Sequence, residues 1–148
     1  MEITRETDYA IRCVLYLAGK QEEVTMVEEI AREMSVPKSF LAKILQKLVR
    51  SKLARSYRGV KGGFQLARTP KEISLLDVIE TIQGPVAMNR CAVDESICGF
   101  SAACVVHPVW IDLRRKVEEY LRDVTFEMLR REAPLCSPKS MVRRAGVQ

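Results

Sequence analysis

No stretch of this sequence stays apolar for the roughly 20 residues that a membrane-spanning helix requires, so no membrane partner is expected. The opening segment, MEITRETDYAIRCVLYLAG, lacks both the cationic start and the unbroken apolar run of a secretory leader. Glu2, Glu6 and Asp8 come first, and Arg12 interrupts the apolar residues after them. The expected location is the cytoplasm, where thiols stay reduced. Five cysteines are an odd number, which speaks against a disulfide framework. There are no internal repeats and no low-complexity segment. Nor is there a nucleophile–base pair, a phosphate-cradling loop or a pair of catalytic carboxylates, so neither an enzyme nor a small-molecule substrate is expected.

The most informative absence is local. Between Ser35 and Lys71 there is no aspartate or glutamate, yet the segment holds ten basic residues: Lys38, Lys43, Lys47, Arg50, Lys52, Arg55, Arg58, Lys61, Arg68 and Lys71. The remaining 14 basic residues share the rest of the chain with all 19 acids. One segment therefore carries the positive field of a chain whose net charge is +5, and a polyanion such as double-stranded DNA is its natural partner. The plainer alternative is a solvated basic face.

The residues around that segment give it a shape. Thr4 to Gly19 reads as a helix with Thr4 as cap, apolar on more than one face and so buried on most sides. Thr25-Met-Val-Glu28 has the spacing of a capping box for a short helix to about Met34. Ser35-Val-Pro37 breaks it, and Pro37 suits the first turn of a helix that continues to about Arg50. Leu41, Ile44, Leu45, Leu48 and Val49 form that helix's inner stripe. Lys38, Ser39, Ala42, Lys43, Gln46, Lys47 and Arg50 form its outer face. Two short helices across a tight turn, the second basic outside, describe a helix-turn-helix. Ala54–Tyr57 and Phe64–Ala67 then read as strands around a glycine-rich turn, a wing whose tip carries Arg58, Gly59 and Lys61. Its glycines permit close backbone approach to a phosphate strand.

Ser74-Leu-Leu-Asp77 starts another helix, which Gly84-Pro85 ends. From Pro108 to about Arg131 the residues Val109, Leu113, Val117, Tyr120, Leu121, Val124 and Met128 recur at steps of three and four, as in one long amphipathic helix. Such a stripe at the end of a small domain suits pairing with its twin in a homodimer. The expected fold is mostly α with a small β-hairpin wing. Residues 1–83 form a winged helix-turn-helix, 84–107 a cysteine-rich loop, 108–131 a long C-terminal dimerisation helix and 132–148 a loose tail.

The loop concentrates the chemistry. Three of the five cysteines and the only histidine, Cys91, Cys98, Cys104 and His107, fall within 17 positions of irregular pattern. Soft thiolates with an imidazole suit zinc or an iron–sulfur cluster. Structural zinc sites usually pair cysteines two to four residues apart, and no such pair occurs here. His107 precedes Pro108 and is expected at the N-cap of the long helix, where thiolates and an anionic group are favoured. Cys13 lies among apolar residues and reads as core, and Cys136 matches no ligand pattern.

The opening TRETDYAIRCVLYLA, the helix-turn-helix, the wing RGVKGGFQL and the three-cysteine loop together resemble the winged-helix iron–sulfur transcription regulators that include IscR, NsrR, RirA and CymR. The resemblance covers about residues 1 to 131. It implies a homodimeric regulator, of the repressor type, bound to palindromic operators, with the second helix of the motif in the major groove and the wing in the adjacent minor groove. Carried over by position, the base-reading residues would be Lys38, Ser39, Ala42 and Lys43 with Arg58; Lys47, Arg50, Gly59 and Lys61 complete the expected DNA face. The resemblance also implies that chains bearing the cysteine triad hold a cluster. Its fourth ligand would be either His107, as in the IscR-like pattern with a [2Fe–2S] cluster, or Asp8 from the partner subunit, as in the NsrR-like pattern with a [4Fe–4S] cluster. The first of these is the favoured reading. The spacing Cys-x6-Cys-x5-Cys-x2-His has a first gap one residue longer than the IscR-like one.

Overall fold

A computed structural model describes residues 1–132. The core is built around the first helix, α1 (Arg5–Ala18), whose Thr7, Ala10, Cys13, Val14, Leu17 and Ala18 are buried. Thr4 caps it as expected, its hydroxyl accepting a hydrogen bond from the Thr7 amide. Helix α2 (Val27–Met34) and helix α3 (Lys38–Arg50) come next, joined by Ser35, Val36 and Pro37. Ser35 is left-handed (φ 53), and the Val36 amide donates back to Ala31 O, which closes α2 and turns the chain sharply. Leu41, Ile44, Leu45 and Leu48 are fully buried against α1. At about 1.5–3 kcal/mol for each large apolar side chain taken from water, this seam anchors α3 firmly to α1.

Two local expectations are corrected here. Thr25 does not cap α2. Met26 holds the cap position without a side-chain bond. Thr25 is instead buried in an extended pairing with Phe64, each amide donating to the other's carbonyl at 2.8 Å. Pro37 stands at the cap of α3 rather than inside its first turn. In both cases backbone geometry outside the helix took the residue that local spacing assigned to the helix.

The hairpin β1 (Ala54–Tyr57) and β2 (Gly63–Leu66) is antiparallel, with Ala54 opposite Leu66 and Tyr57 opposite Gly63. The Thr25–Phe64 pairing adds a single isolated bridge to its β2 edge. A Cβ on Gly63 would collide with the Thr25 carbonyl, so only glycine permits that approach. Helix α4 (Leu75–Gln83) begins at the expected capping box of Ser74 and Asp77.

The expected single long helix is two. Helix α5 (His107–Asp123) ends at Val124, and α6 (Phe126–Glu132) starts anew. Between them the chain is extended and pairs with the segment before α4. The Leu75 amide donates to Val124 O (2.8 Å) and the Phe126 amide to Ile73 O (3.0 Å). Two β-branched residues favour this extended step, and Phe126, wholly buried, carries α6 back onto α1. Glu132, placed at the start of the tail, closes α6; residues 133–148, with Cys136, lie outside the described residues. Among the described residues no helix is long and apolar enough to cross a membrane.

Candidate DNA-binding face and cysteine loop

The buried side of α3 dictates its other side. Because Leu41, Ile44, Leu45 and Leu48 face the core, Lys38, Ser39, Ala42, Lys43, Gln46 and Arg50 are thrown to solvent on one exposed surface. The wing tip stands clear of the body: Arg58, Gly59 and Lys61 are exposed, and Val60 between them is 99% accessible. Gly59 has φ 104, a conformation the tip turn requires of glycine. The wing is braced at its base. Tyr57 Oη donates to Gln65 Oε1 (3.0 Å), and the Gln65 amide group donates to Gln21 O before α2.

Lys47 is placed differently from the rest of the expected DNA face. Its Nζ is 2.8 Å from Glu6 Oε1 on α1 and 3.4 Å from Ile82 O on α4. Lys38 pairs with Glu28 at 2.5 Å on an exposed edge and holds that carboxyl below its ordinary range. The other eight cations of the acid-free segment have no carboxylate at ion-pairing distance among the described residues. None of the eight is tied up in an ion pair, which leaves them available to phosphate oxygens. Phe40 was not foreseen: half exposed beside Lys38 and Ser39, it stands edge-on to Tyr9 with ring centroids 5.8 Å apart and joins α1 to the start of α3.

The loop from Gly84 to Val106 is ordered by three single-turn helices, Arg90–Ala92, Glu95–Ile97 and Ser101–Ala103. Each is a tight turn in a segment with no long apolar period to build a larger element. Arg114 of α5 reaches over and donates to Ala92 O (2.8 Å) while pairing with Glu118 (2.6 Å). Cys91, Cys98 and Cys104 are free thiols, each half-buried. His107 is the first residue of α5 rather than its cap, which is Val106. The residue is 8% exposed, and neither imidazole nitrogen has a hydrogen-bond partner; the nearest carboxylate, Glu95 Oε1, is 3.5 Å from Nε2. A buried imidazole without partners is costly unless something occupies its lone pair. The donor set thus fits a thiophilic metal or cluster in chemistry. Among the described residues, however, no three of these donors are gathered closely enough to hold a metal ion. Asp8, the alternative ligand, is half-buried on α1 with its carboxylate 2.7 Å from Arg12. Cys13 is wholly buried, and burial pushes its thiol up to about 12, the property of a core residue.

A helix-turn-helix with an exposed basic second helix and a basic wing defines a winged-helix DNA-binding protein. The model of the Rrf2 family, described as iron-dependent transcriptional regulators, matches residues 3–132, and the chain belongs to that family. It is a transcriptional regulator and not an enzyme. It is similar to protein aau3 of Rhizobium meliloti (38% identical over 110 residues, 70% of this chain and 71% of that one). It is also similar to the regulator IscR of Pectobacterium atrosepticum (28% over 130 residues, 87% and 79%). Among solved structures it resembles CymR, the global cysteine regulator of B. subtilis, with a TM-score of 0.71 at 28% identity over 87% of this chain and 95% of that one. T. potens IscR shares the fold with the same TM-score at 22% identity, over 90% and 88%.

Proposed function

We propose that this regulator binds palindromic operators as a homodimer and that its binding responds to an iron–sulfur cluster on the loop of Cys91, Cys98 and Cys104, with His107 as fourth ligand. The observation that carries this reading is the nearly buried His107 imidazole, without a hydrogen-bond partner, at the start of α5 and on the same loop as three free thiols. A bound cluster would supply a group sensitive to iron–sulfur status, redox poise or nitric oxide.

The chain's own residues supply the rest. The Cys104 carbonyl accepts from the His107 amide (3.2 Å), so the last thiol and the imidazole share one turn. Arg114 ties the first loop turn to α5. At the other end, Gln83 fastens the start of the loop. Its Oε1 accepts from Thr7 Oγ1 (2.7 Å) and the Thr4 amide (3.2 Å), both at the start of α1. A change in loop order therefore reaches α1 and, through Glu6 and Lys47, α3. Because half-sites lie about one DNA turn apart, a small shift between two recognition helices changes operator affinity.

The test is anaerobic purification with iron and sulfide analysis and a visible circular-dichroism spectrum. Two irons per protomer with structured visible bands support His107 and [2Fe–2S]. Four irons transfer the fourth-ligand role to Asp8 of the partner subunit and [4Fe–4S]. A colourless protein holding zinc, or no metal after reconstitution, leaves a winged-helix regulator without cluster sensing.

A further inference from the structure

Lys52, Arg55 and Arg68 line an open groove of about 740 Å³ at the base of the wing, closed on its other sides by Val49, Ser56 and Tyr57. Lys52, Arg55 and Arg68 are exposed and none makes an ion pair among the described residues; Glu72, whose carboxyl is held below its ordinary value by Thr69 and more weakly by Arg68, is the acid near the groove. They belong neither to the outer face of α3 nor to the wing tip.

Lys52 adds an independent observation. It is left-handed (φ 60) at the turn that leaves α3, where the Leu53 amide donates to Leu48 O (2.9 Å). Glycine or asparagine is the ordinary occupant of such a position, and a side chain there is strained. The strained residue is also the one that adds an ammonium to the groove. The groove is continuous with the DNA face on both flanks. Arg50 precedes it on α3, and β1 carries Arg55 and Tyr57 up to the tip, which Arg58 begins.

We propose that this groove is a second phosphate-binding site for the DNA backbone, which takes phosphates outside the segment read by α3 and the wing tip and so lengthens the footprint of each half-site. It rests on the DNA-binding reading. The Ser56 hydroxyl supplements two guanidinia and one ammonium, a donor set suited to phosphate oxygens and indifferent to base sequence.

The test uses a random-sequence 40-base-pair duplex and fluorescence anisotropy over a range of salt. Each lost phosphate contact lowers the slope of log K against log salt by about 0.9. Arg55→Gln/Arg68→Gln is expected to lower it by about 1.8 with an unchanged melting temperature. Lys52→Gly, which relieves the strain, lowers it by about 0.9 without loss of stability. Lys116→Gln on α5, the charge-loss control, leaves it unchanged, and Arg58→Gln lowers it independently. An unchanged slope in the double variant while Arg58→Gln still lowers it overturns the groove and keeps the DNA-binding reading. Inorganic phosphate that raises the melting temperature of the wild type alone, with the DNA slope unchanged in the double variant, makes this a small-anion site and likewise overturns the proposal. A wild type that binds no duplex overturns both readings.

Discussion

Lys47 Nζ lies 2.8 Å from Glu6 Oε1, so one of the cations expected on the DNA face pins α3 to α1. Its second contact, Ile82 O, adds the last turn of α4 to the same junction. Lys47→Gln is therefore expected to act on stability and helix placement. The pair is part-exposed, so its loss should cost about 1 kcal/mol or less. The salt slope of DNA binding should stay within about 0.3 of wild type, against the roughly 0.9 a lost phosphate contact removes. A full-sized drop in slope would return Lys47 to the DNA face.

Thiol reactivity should divide the described cysteines cleanly. Burial pushes Cys13 up to about 12 and seals it beneath α1, whereas Cys91, Cys98 and Cys104 are half-buried and free. Iodoacetamide at about pH 8, applied to the metal-free native protein and read by peptide mass spectrometry, should alkylate the three loop thiols and spare Cys13 until denaturant is added. Rapid native labelling of Cys13 would contradict the packing of α1.

Much of this was legible from residue pattern. The inner stripe Leu41–Leu48, the Ser74–Asp77 box and the wing glycines each follow from a local rule that tertiary packing then reinforces. The failures share one cause. Thr25 has the spacing of a cap and Thr125 falls inside the expected long helix, and both are recruited into isolated backbone pairings with residues distant in the chain, Phe64 and Ser74. No local spacing encodes such a partner. Lys47 holds a contact that periodicity could not show: helical spacing places it near the outer face, and only the packed position of Glu6 shows that its ammonium pairs with α1. The loop's donor set was visible as composition, while the lack of a hydrogen-bond partner for His107 is a property of the folded chain alone.

The junction of α1 and α2 should respond to acid. Lys20 and the Tyr16 hydroxyl bond Glu29, at 2.8 and 2.7 Å, and hold its carboxyl below the ordinary value of 4.5. A depressed carboxylate contributes its stability in full above the unfolded value and loses it as pH falls through the lower, folded one. The melting temperature of Glu29→Gln should accordingly lie below wild type at about pH 7, and the gap should close as pH falls below about 4.5. A gap that stays constant from about pH 7 to about pH 3 would mean the charge on Glu29 is not what stabilises the junction.

Cys98→Ala should separate the cofactor from the fold. Cys98 lies at the surface end of a single-turn helix and makes no side-chain bond among the described residues, so its thiol contributes little to packing. The variant is expected to melt within about 1 kcal/mol of the metal-free wild type and to bind random duplex equally well. It should hold no iron after anaerobic reconstitution. Full iron and sulfide in the variant would remove Cys98 from the ligand set.

Because α5 stops at Asp123, the apolar stripe expected along one long helix is divided between two tasks. Val117 and Leu121 pack inward on Leu76, Ile79 and Val86. Val109 (57% exposed), Leu113 and Tyr120 (70% exposed) are left on the outer side of the same helix. An apolar row of this kind on a solvent-facing helix suits a second copy of itself. Sedimentation equilibrium should find twice the 16.8 kDa protomer mass for the wild type. Leu113→Glu places two like charges across a two-fold contact and should shift the mass toward one protomer, with the circular-dichroism spectrum unchanged. DNA binding should then weaken more on a palindromic site than on a single half-site, since only the palindrome engages both recognition helices. A stable dimer that survives both Leu113→Glu and Val109→Glu would place the subunit contact elsewhere on the molecule.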